Sequence, residues 1–474
     1  MKLKLFLFML FVSSSFLIEA QTPFFNEYVT DFNQTCGSNP VCGSMQSAYN
    51  SKTVRVPNEG YYSLTIKETS PGFQTAVLMQ IDIDGNVVFT KEVASSALGV
   101  DSVMPGAIEA AEIADMVYLD GFLYVVGSNK LVGGTGTKAS SLSKIDLSGQ
   151  EIWNTIFTTD VNGTSDVNFI VNDIEIIKDK IYYVGTKFAG SSLDAESALI
   201  FGKLTLDGDE IESHTYRGPS NNESLRGLTI TPNKAIFTNF DFYIGASGGD
   251  FHSPVVLAMY IDGTVGWAGL LSNDSQVNVG FHEFNSGMSL PIKNNNDIKD
   301  GDPVLFYKED LSLTSFTAIR LNLAAPSVPM QAIEVSFENF DPDLVGLQLI
   351  DAEVTSAGEI TTILNKNYTV DLGQTYVSNS MLGSNGATVT KLIDENSRVN
   401  SLFKSKGNDY VIGGIVEEQS NDPSNFLLTY TEDEFCRGPN MLSVVQKEVI
   451  FSSFSVTEVL DVEYEIENVQ HESG

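Results

Sequence analysis

Basic residues are scarce in this chain. Lys and Arg number 27 against 61 Asp and Glu among 474 residues, which gives a formal net charge of −34. Nucleic acids and anionic membranes are bound through Lys and Arg that neutralise phosphate, so this balance argues against both as partners. A dispersed acidic surface is typical of solubility, salt tolerance or attraction of divalent cations.

Long apolar runs are missing beyond the N-terminus. Lys2 and Lys4 precede an apolar stretch at residues 5–12, and small residues around Ala20 offer a cleavage site. These features predict a signal peptide over residues 1–20, because the apolar stretch is too short to span a bilayer. We therefore expect a secreted protein, extracellular or periplasmic, that has no membrane span and is a monomer.

Cysteine is also rare, with three residues in the whole chain. Cys36 and Cys42 enclose a short loop with Gly and Pro, and an oxidising compartment favours a disulfide between them. A metal site is the alternative, but no histidine lies nearby. Cys436 is left over, either buried and inert or paired with one of the other two if the termini meet.

The familiar catalytic motifs are absent. The sequence has no G-x-S-x-G, no H-E-x-x-H, no P-loop and no dinucleotide fingerprint. The glycine-rich stretch that starts at Val132 lies between predicted strands and not before a helix, which argues against phosphate binding. No organic cofactor is expected on this basis.

What the chain does contain is a recurring hairpin. Residues 78–93, LMQIDIDGNVVFTKEV, place Asp84-Gly85 between two apolar runs, which predicts a hairpin with a type I′ turn. The same hairpin motif recurs around Gly149, Gly208 and Gly263. From Gly85 onward, successive turn glycines are 64, 59 and 55 residues apart. A repeat of this length with several strands per unit is typical of a propeller blade.

We predict an all-β fold, a β-propeller of seven four-stranded blades. The fifth and sixth copies are poorly marked, so six or eight blades stay open, and a pair of β-sandwich domains is the alternative. The expected division is a signal peptide at 1–20, an N-terminal extension with the Cys loop at 21–54, the propeller at 55–452, and a C-terminal strand and tail at 453–474. Residues 53–57 and 442–451 are the candidates for the strand that closes the ring.

The second unit carries a family resemblance. The phrase L-x-K-[IL]-D-x-x-G-x-x-x-W, followed by a loop and a Y-x-G strand, resembles secreted β-propeller repeat proteins of Bacteroidetes. The matching residues are Leu142, Lys144, Ile145, Asp146, Gly149, Trp153, Asp173, Tyr183 and Gly185. The resemblance covers roughly residues 55–435 and carries no catalytic residue. It implies contact with saccharide, since related secreted propellers include polysaccharide lyases and carbohydrate-binding proteins. The Pro-Asn-Pro phrase of the sorting domain that ends many such proteins is missing.

Only four histidines are present, and His214 lies in the most suggestive cluster, with Tyr216 and Arg217. A lyase acting on uronic acids needs a cation, a base and an acid, which these three residue types could supply. In an extended strand His214 and Tyr216 share one face and Arg217 points to the other, as on an outer strand that faces water. His252 and His282 could join such a site from neighbouring blades.

Calcium is the candidate metal. Residues 82–86 and 294–302 place oxygen-bearing side chains in turns, as hard cations prefer. Neither stretch has EF-hand spacing, and hairpin geometry already accounts for the first. The candidate loop is formed by Asn294, Asp297, Asp300 and Asp302.

Two functions follow as hypotheses. The first is a binding or interaction protein, with polysaccharide or another extracellular protein as its partner and no enzymatic activity. The second is a polysaccharide lyase or glycoside hydrolase with an active site between blades. Convergence of the histidines with Tyr or Arg in one pocket would favour the second hypothesis.

Overall fold

The computed structural model contains strands and turns throughout its described part. It describes residues 25–28, 51–70, 73–93, 112–130, 138–158, 167–189, 197–217, 223–230, 235–244, 251–272, 286–289, 292–293, 298–299, 302–307, 315–322, 325, 329, 331–336, 347–355, 358–367, 373–381, 386–404, 409–417, 423–431, 440–446, 450–453, 457–458 and 465–470. Within these ranges, no helix has the length and apolar character needed to cross a membrane.

After a short first strand, β1 (Phe25–Tyr28), the chain forms four consecutive antiparallel sheets, sheets 1 to 4. Sheet 1 contains β2 (Ser51–Val56), β3 (Gly60–Ser70), β4 (Phe73–Ile81) and β5 (Val87–Val93). Sheet 2 contains β6 (Glu112–Leu119), β7 (Phe122–Lys130), β8 (Lys138–Asp146) and β9 (Glu151–Thr158). Sheet 3 contains β10 (Val167–Ile177), β11 (Lys180–Ala189), β12 (Ser197–Thr205) and β13 (Glu210–Arg217). Sheet 4 contains β14 (Glu223–Ile230), β15 (Ala235–Ile244), β16 (Phe251–Tyr260) and β17 (Val265–Ser272).

The next part of the chain forms most of a larger sheet, sheet 5. Its strands here are β18 (Ser286–Ser289), β21 (Val304–Tyr307), β22 (Ser315–Arg320), β23 (Gln331–Ser336), β24 (Leu347–Val354), β25 (Glu359–Asn367), β26 (Gly373–Met381), β27 (Gly386–Lys404), β28 (Asp409–Glu417) and β29 (Pro423–Thr431). Between β18 and β21, β19 (Ile292–Lys293) and β20 (Ile298–Lys299) form a separate two-stranded hairpin.

The C-terminal segment adds four more strands, which we call the belt. They are β30 (Asn440–Gln446), β31 (Ile450–Ser453), β32 (Thr457–Glu458) and β33 (Glu465–Gln470). With β1 and β30 included, sheet 5 has twelve strands.

The predicted β-propeller is confirmed, but the predicted count of seven separate blades is wrong for the described residues. These form five sheets of four or more strands. The reason lies in shared strands, because β27 is 19 residues long and pairs with β26 at one end and with β28 at the other. In addition, β30 pairs with both β23 and β27, so three antiparallel runs of strands are hydrogen-bonded into one sheet.

The five sheets pack face to face in sequence order, and the last returns to the first. Apolar clusters lie between sheets 1 and 2, 2 and 3, 3 and 4, and between sheet 4 and the first strands of sheet 5. The return contact joins sheet 1 to β27 and β28, where Tyr61 packs on Phe403 at 5.8 Å and Val411 is buried. The Thr53 amide donates to Ser401 Oγ at 2.9 Å in the same contact. This closed order is that of a propeller and not of two β-sandwiches.

The β28–β29 hairpin gains its outer strand from β1, which precedes sheet 1 in the chain. β1 pairs antiparallel with β29, with Phe25 opposite Leu428 and Tyr28 opposite Asn425. Neither candidate drawn from the sequence takes this place, since residues 53–56 belong to β2 and residues 442–446 to β30. Sequence pattern cannot select among such candidates, because each is an alternating stretch that fits any free sheet edge.

The belt runs along the outside of the ring in reverse order. β30 pairs with β23 of sheet 5, β31 with β17 of sheet 4, β32 with β13 of sheet 3 and β33 with β9 of sheet 2. All four pairings are antiparallel. Each pairing satisfies the outward backbone groups of a strand that would otherwise be an open sheet edge.

Candidate functional site

The recurring hairpin turn is built differently from the predicted type I′ turn. Gly85 has a φ of 86°, but Asp84 is not among the described residues with positive φ. The Gly85 amide donates to the Asp82 carbonyl at 3.1 Å, and the amides of Asp84 and Asn86 donate to Asp82 Oδ1. This is a four-residue turn that ends in a left-handed glycine, as in type I turns with a glycine at the last position. The type I′ geometry occurs instead at Asp120-Gly121, where φ is 47° and 87°.

The Asp82 carboxylate is engaged by this turn. Burial alone would raise the pKa of Asp82, but hydrogen bonds from the Asn86 backbone and side chain and from the Asp84 backbone outweigh it and lower the pKa. In the third copy, Thr205 takes the place of Asp82, and its Oγ1 accepts from the amides of Asp207 and Asp209. Tyr260 takes this place in the fourth copy, so the feature that the copies share is the glycine with its backbone hydrogen bond, and not a carboxylate set for calcium.

The turns at Gly149, Gly208 and Gly263 each pack on the preceding sheet. In sheet 3, the Leu206 carbonyl accepts hydrogen bonds from Trp153 Nε1 at 3.1 Å and from Lys144 Nζ at 3.2 Å, and the Gly208 carbonyl accepts from Thr155 Oγ1 at 3.0 Å. Lys144 also lies over the Phe122 ring, 4.4 Å from its centroid. Lys144 and Trp153 of the motif thus join sheet 2 to the Gly208 turn of sheet 3, which is a structural role.

His214 and Tyr216 take the corresponding place between sheets 3 and 4. The His214 ring stacks between Phe201 and Tyr216, with centroids 6.3 Å and 6.2 Å away, and it lies under the turn glycine Gly263. The structure therefore brings these two candidate residues together on one face of β13, as the strand periodicity predicts.

Tyr216 is held tightly in this interface. Its side chain is 1% exposed, and its hydroxyl donates to the Gly263 carbonyl. Burial, followed by the nearby carboxylates of Glu458, Asp262 and Glu212, raises the pKa of Tyr216 far above its ordinary value. A buried neutral phenol that already donates its proton to a carbonyl stabilises the contact between sheets.

His214 also fixes the belt. Its Nδ1 lies 2.8 Å from Glu458 Oε1, and Glu458 belongs to the two-residue strand β32. On its other side, Nε2 lies 3.9 Å from Glu212 Oε1, and Glu212 forms an ion pair with Lys203. The histidine thus links the outer strand of sheet 3 to the segment that covers it.

We expect Glu458→Gln to loosen the belt at sheet 3 and to cost less than about 1 kcal/mol of folding free energy, because the pair is partly exposed. Hydrogen exchange should become faster at residues 457–458 and at Arg217, their strand neighbour. Asp120→Asn, which removes one acid at a turn of sheet 2, is the control and should leave that exchange unchanged. Equal exchange in both variants would show that the histidine–carboxylate contact does not hold the belt.

Arg217 and His252 lie elsewhere. Arg217 follows Tyr216 in β13 and points to the opposite face, toward sheet 2. His252 lies opposite Tyr243 near the start of β16, eight residues before the turn that covers His214. A strand rise of about 3.3 Å per residue puts roughly 25 Å between His252 and that turn. The backbone thus keeps His252 apart from the His214–Tyr216 pair.

Arg217 has a basic neighbour in sheet 3 that no sequence motif indicates. Lys187 in β11 lies opposite Ala198, and Leu199 lies opposite Tyr216, so Lys187 and Arg217 occupy one row of sheet 3. They are two strands apart, roughly 10 Å. Burial first, and then the Arg217 charge, lower the pKa of Lys187. Only the pairing register reveals this basic pair, because 30 positions separate the two residues in the sequence.

The other predicted sites fall largely outside the described residues. This applies to Cys36, Cys42 and Cys436, to His282, and to the calcium candidates Asn294, Asp297 and Asp300. Asp302 is described and forms an ion pair with Arg320 at 3.4 Å. Across the described part of the chain, no group of three or more His, Cys, Asp and Glu is arranged to hold a metal ion. The disulfide and the calcium loop stay predictions.

No protein-family model matches the sequence, and no curated protein matches it either. Solved structures do match. The β-propeller domain of the trilobed protease from Pyrococcus furiosus is 10% identical, with a TM-score of 0.37 over 83% of this chain and 100% of that one. An apocarotenoid oxygenase mutant from Synechocystis is 12% identical, with a TM-score of 0.40 over 91% of this chain and 96% of that one. Trypanosoma rangeli sialidase is 8% identical, with a TM-score of 0.38 over 81% of this chain and 59% of that one. At these values no activity is transferred to this chain.

Proposed function

We propose that the protein is a secreted β-propeller binding protein that contacts anionic extracellular polysaccharide at the cleft between sheets 2 and 3. The observation that carries this proposal is the Lys187–Arg217 pair. Two cations stand in one row of sheet 3 in a chain where acids outnumber bases by 61 to 27. A carboxylate or sulfate that binds beside these two cations would be attracted by both charges.

The position of the pair supports a binding role. Lys187 lies opposite the buried Phe169, whose ring stacks on Phe157 of sheet 2 at 5.4 Å. The pair therefore lies at the edge of the contact between the two sheets, at the end of sheet 3 away from the Gly208 turn. Loops at one end of a rigid ring of sheets are the usual place for ligand contacts.

Two sequence features support the remaining parts of the proposal. Residues 1–20 have the features of a signal peptide, which supports secretion. The phrase around Lys144, Asp146 and Trp153 resembles secreted propellers of Bacteroidetes, which supports saccharide contact. The structure gives Lys144 and Trp153 packing roles, so the binding role is assigned to Lys187 and Arg217 instead.

The alternative, a lyase or glycoside hydrolase, has less support in the geometry. His214 and Tyr216 are packed beneath Gly263 and bonded to Glu458 and to a backbone carbonyl. A general base or acid must reach the substrate proton, and these two groups are engaged inside an interface between sheets.

Binding to polygalacturonate, measured by isothermal titration calorimetry, tests the proposal. We expect binding at about 0.15 M salt, where long-range repulsion between the acidic protein and the polymer is screened. Lys187→Gln with Arg217→Gln should weaken binding at least about tenfold. Lys178→Gln, which removes a charge at the opposite end of sheet 3, is the matched control and should bind as the unmodified protein does.

Three outcomes would contradict the proposal. The first is no binding, the second is equal binding by the double variant, and the third is equally tight binding of neutral dextran. Absorbance from unsaturated products in the same mixtures would show lyase activity and favour the alternative function.

A further inference from the structure

The belt pairs with sheet 3 over a very short stretch of backbone. Its strand there, β32, has two residues, and Thr457 and Glu458 lie opposite Arg217 and Tyr216. The neighbouring belt strands are longer, with four residues in β31 and six in β33. A pairing of two residues offers few backbone hydrogen bonds, so side-chain contacts contribute a large share of the attachment at sheet 3.

His214 provides such a side-chain contact, and only one of its two ring nitrogens has a hydrogen-bond partner. Nδ1 lies 2.8 Å from Glu458 Oε1. Nε2 is buried without a hydrogen-bond partner among the described residues, and Glu212 Oε1 lies 3.9 Å from it. A neutral imidazole that donates from Nδ1 to a carboxylate carries no proton on Nε2. The neutral ring therefore leaves a buried acceptor unsatisfied beside a second carboxylate, which costs folding free energy.

Protonation of His214 removes this mismatch. The imidazolium carries a hydrogen on each nitrogen, so Nδ1 donates to Glu458 while Nε2 turns its hydrogen toward Glu212. The positive ring then lies between two carboxylates, one from the belt and one from β13 itself. A hydrogen bond between two charged groups is stronger than one in which the histidine is neutral. The geometry of this contact thus matches the charged histidine better than the neutral one.

The other charged groups around the His214 ring do not reverse this preference. Asp262 precedes Gly263 in the turn that covers the ring, and hydrogen bonds from the Thr264 backbone and side chain lower the pKa of Asp262, which keeps it ionised. Lys203 of β12 lies on the same face of sheet 3, and its ammonium group pairs with Glu212. The carboxylates of Glu458, Glu212 and Asp262 together attract a positive charge on the ring more strongly than one paired ammonium repels it.

We propose that His214 is a pH-dependent latch that holds the belt on sheet 3. In its protonated form it binds Glu458 as an ion pair, and β32 stays on β13. Histidine loses its charge as the pH rises from about 5 to about 8, and the latch weakens over that range. The external pH would thereby control access to the outer edge of β13. The latch is independent of the polysaccharide contact, because Arg217 lies on the opposite face of β13.

Hydrogen exchange of the full chain at about pH 5.5 and about pH 8 tests this latch. Each measured rate is divided by the intrinsic rate of the unfolded chain, since the exchange chemistry itself depends on pH. Protection of residues 457–458 and of Arg217 should be about threefold lower at the higher pH, as expected for loss of one partly exposed ion pair. The pairing of β31 with β17 is the internal control, because neither strand contains a histidine, and its protection should be equal at both pH values.

Three variants identify the groups involved. Glu458→Gln removes the charge on the belt, and the difference in protection between the two pH values should disappear. His214→Asn keeps a donor near the position of Nδ1 but does not titrate, so it should also abolish the difference. Glu212→Gln keeps an acceptor for Lys203 and should reduce the difference. Far-UV circular dichroism establishes that each variant is folded, and Glu458→Gln changes a side chain that is 46% exposed, so it leaves the packed core intact.

The latch is overturned by equal protection of residues 457–458 at both pH values in the unmodified protein. It is also overturned by an equal change in β31, which would show a general effect of pH on the belt. Persistence of the full pH dependence in Glu458→Gln or in folded His214→Asn would assign it to another group. The full dependence in Glu212→Gln would contradict the role of Nε2.

Discussion

Replacing Trp153 by alanine should lower the free energy of unfolding by about 4 kcal/mol, as expected for loss of a fully buried large aromatic residue. Trp153 is 1% exposed, and its ring packs edge-to-face on Tyr124 at 6.2 Å. Its Nε1 donates to the Leu206 carbonyl in the turn of the next sheet at 3.1 Å. The substitution removes the apolar contact and the hydrogen bond together, and so weakens the contact between sheets 2 and 3.

Urea denaturation followed by circular dichroism measures this effect. Trp153→Phe keeps an aromatic ring, and Lys144 still donates to the Leu206 carbonyl, so a loss of only about 1–2 kcal/mol is expected. Trp267→Ala is the matched control, because the second tryptophan of the chain is only partly buried, against the cluster between sheets 4 and 5. A loss at Trp153 no larger than that at Trp267 would contradict the proposed role of Trp153 at the interface.

The sequence is informative about this fold wherever the determinant is local. The spacing of Gly85, Gly149, Gly208 and Gly263 predicts a turn at each, and all four have φ between 83° and 86°. A left-handed turn residue is recognisable because few residue types other than glycine tolerate it. The turn type at Asp84 was nevertheless wrong, since the same Asp-Gly pair fits loops of different length.

Long-range pairing could not be predicted in the same way. The alternating stretch near the C-terminus indicates a strand, but alternation fits any free edge and does not identify β9 or β13 as the partner. Similarly, β27 is long enough to pair with β26 at one end and β28 at the other, so it joins runs of strands that the repeat pattern predicts to be separate. The placement of Lys187 and Arg217 in one row depends on the register of three strands, which no short motif encodes.

In the candidate site, too, the local features could be predicted from the sequence and the long-range contacts could not. Periodicity places His214 and Tyr216 on one face of a strand, and the structure agrees. Their surroundings, with Glu458 from the belt and Gly263 from the next sheet, come from residues up to 244 positions away. The chemistry of a side chain depends on such neighbours, so its role could not be read from the residue type.

Gly263→Ala should cost about 3 kcal/mol, and it tests the turn as a docking element. Gly263 has a φ of 83°, and a Cβ there would lie 2.4 Å from His214 Cδ2. Two losses of folding free energy therefore add. An alanine held at positive φ costs about 1 kcal/mol, and overpacking against His214 costs about 2 kcal/mol. The His214 ring has little room to move, because it stacks between Phe201 and Tyr216.

Gly121→Ala and Gly149→Ala separate the two penalties. Gly121 has a φ of 87° with nothing within 4 Å of the added Cβ, so it reports the backbone penalty alone, about 1 kcal/mol. Gly149 has a φ of 84° with neighbours at 3.6 Å or more, which is ordinary contact, and should resemble Gly121. Equal losses of unfolding free energy in all three variants would mean that the turns do not fix the spacing of the sheets. A larger loss at Gly263 would show that the glycine is needed for the approach of sheet 4 to His214 as well as for its backbone conformation.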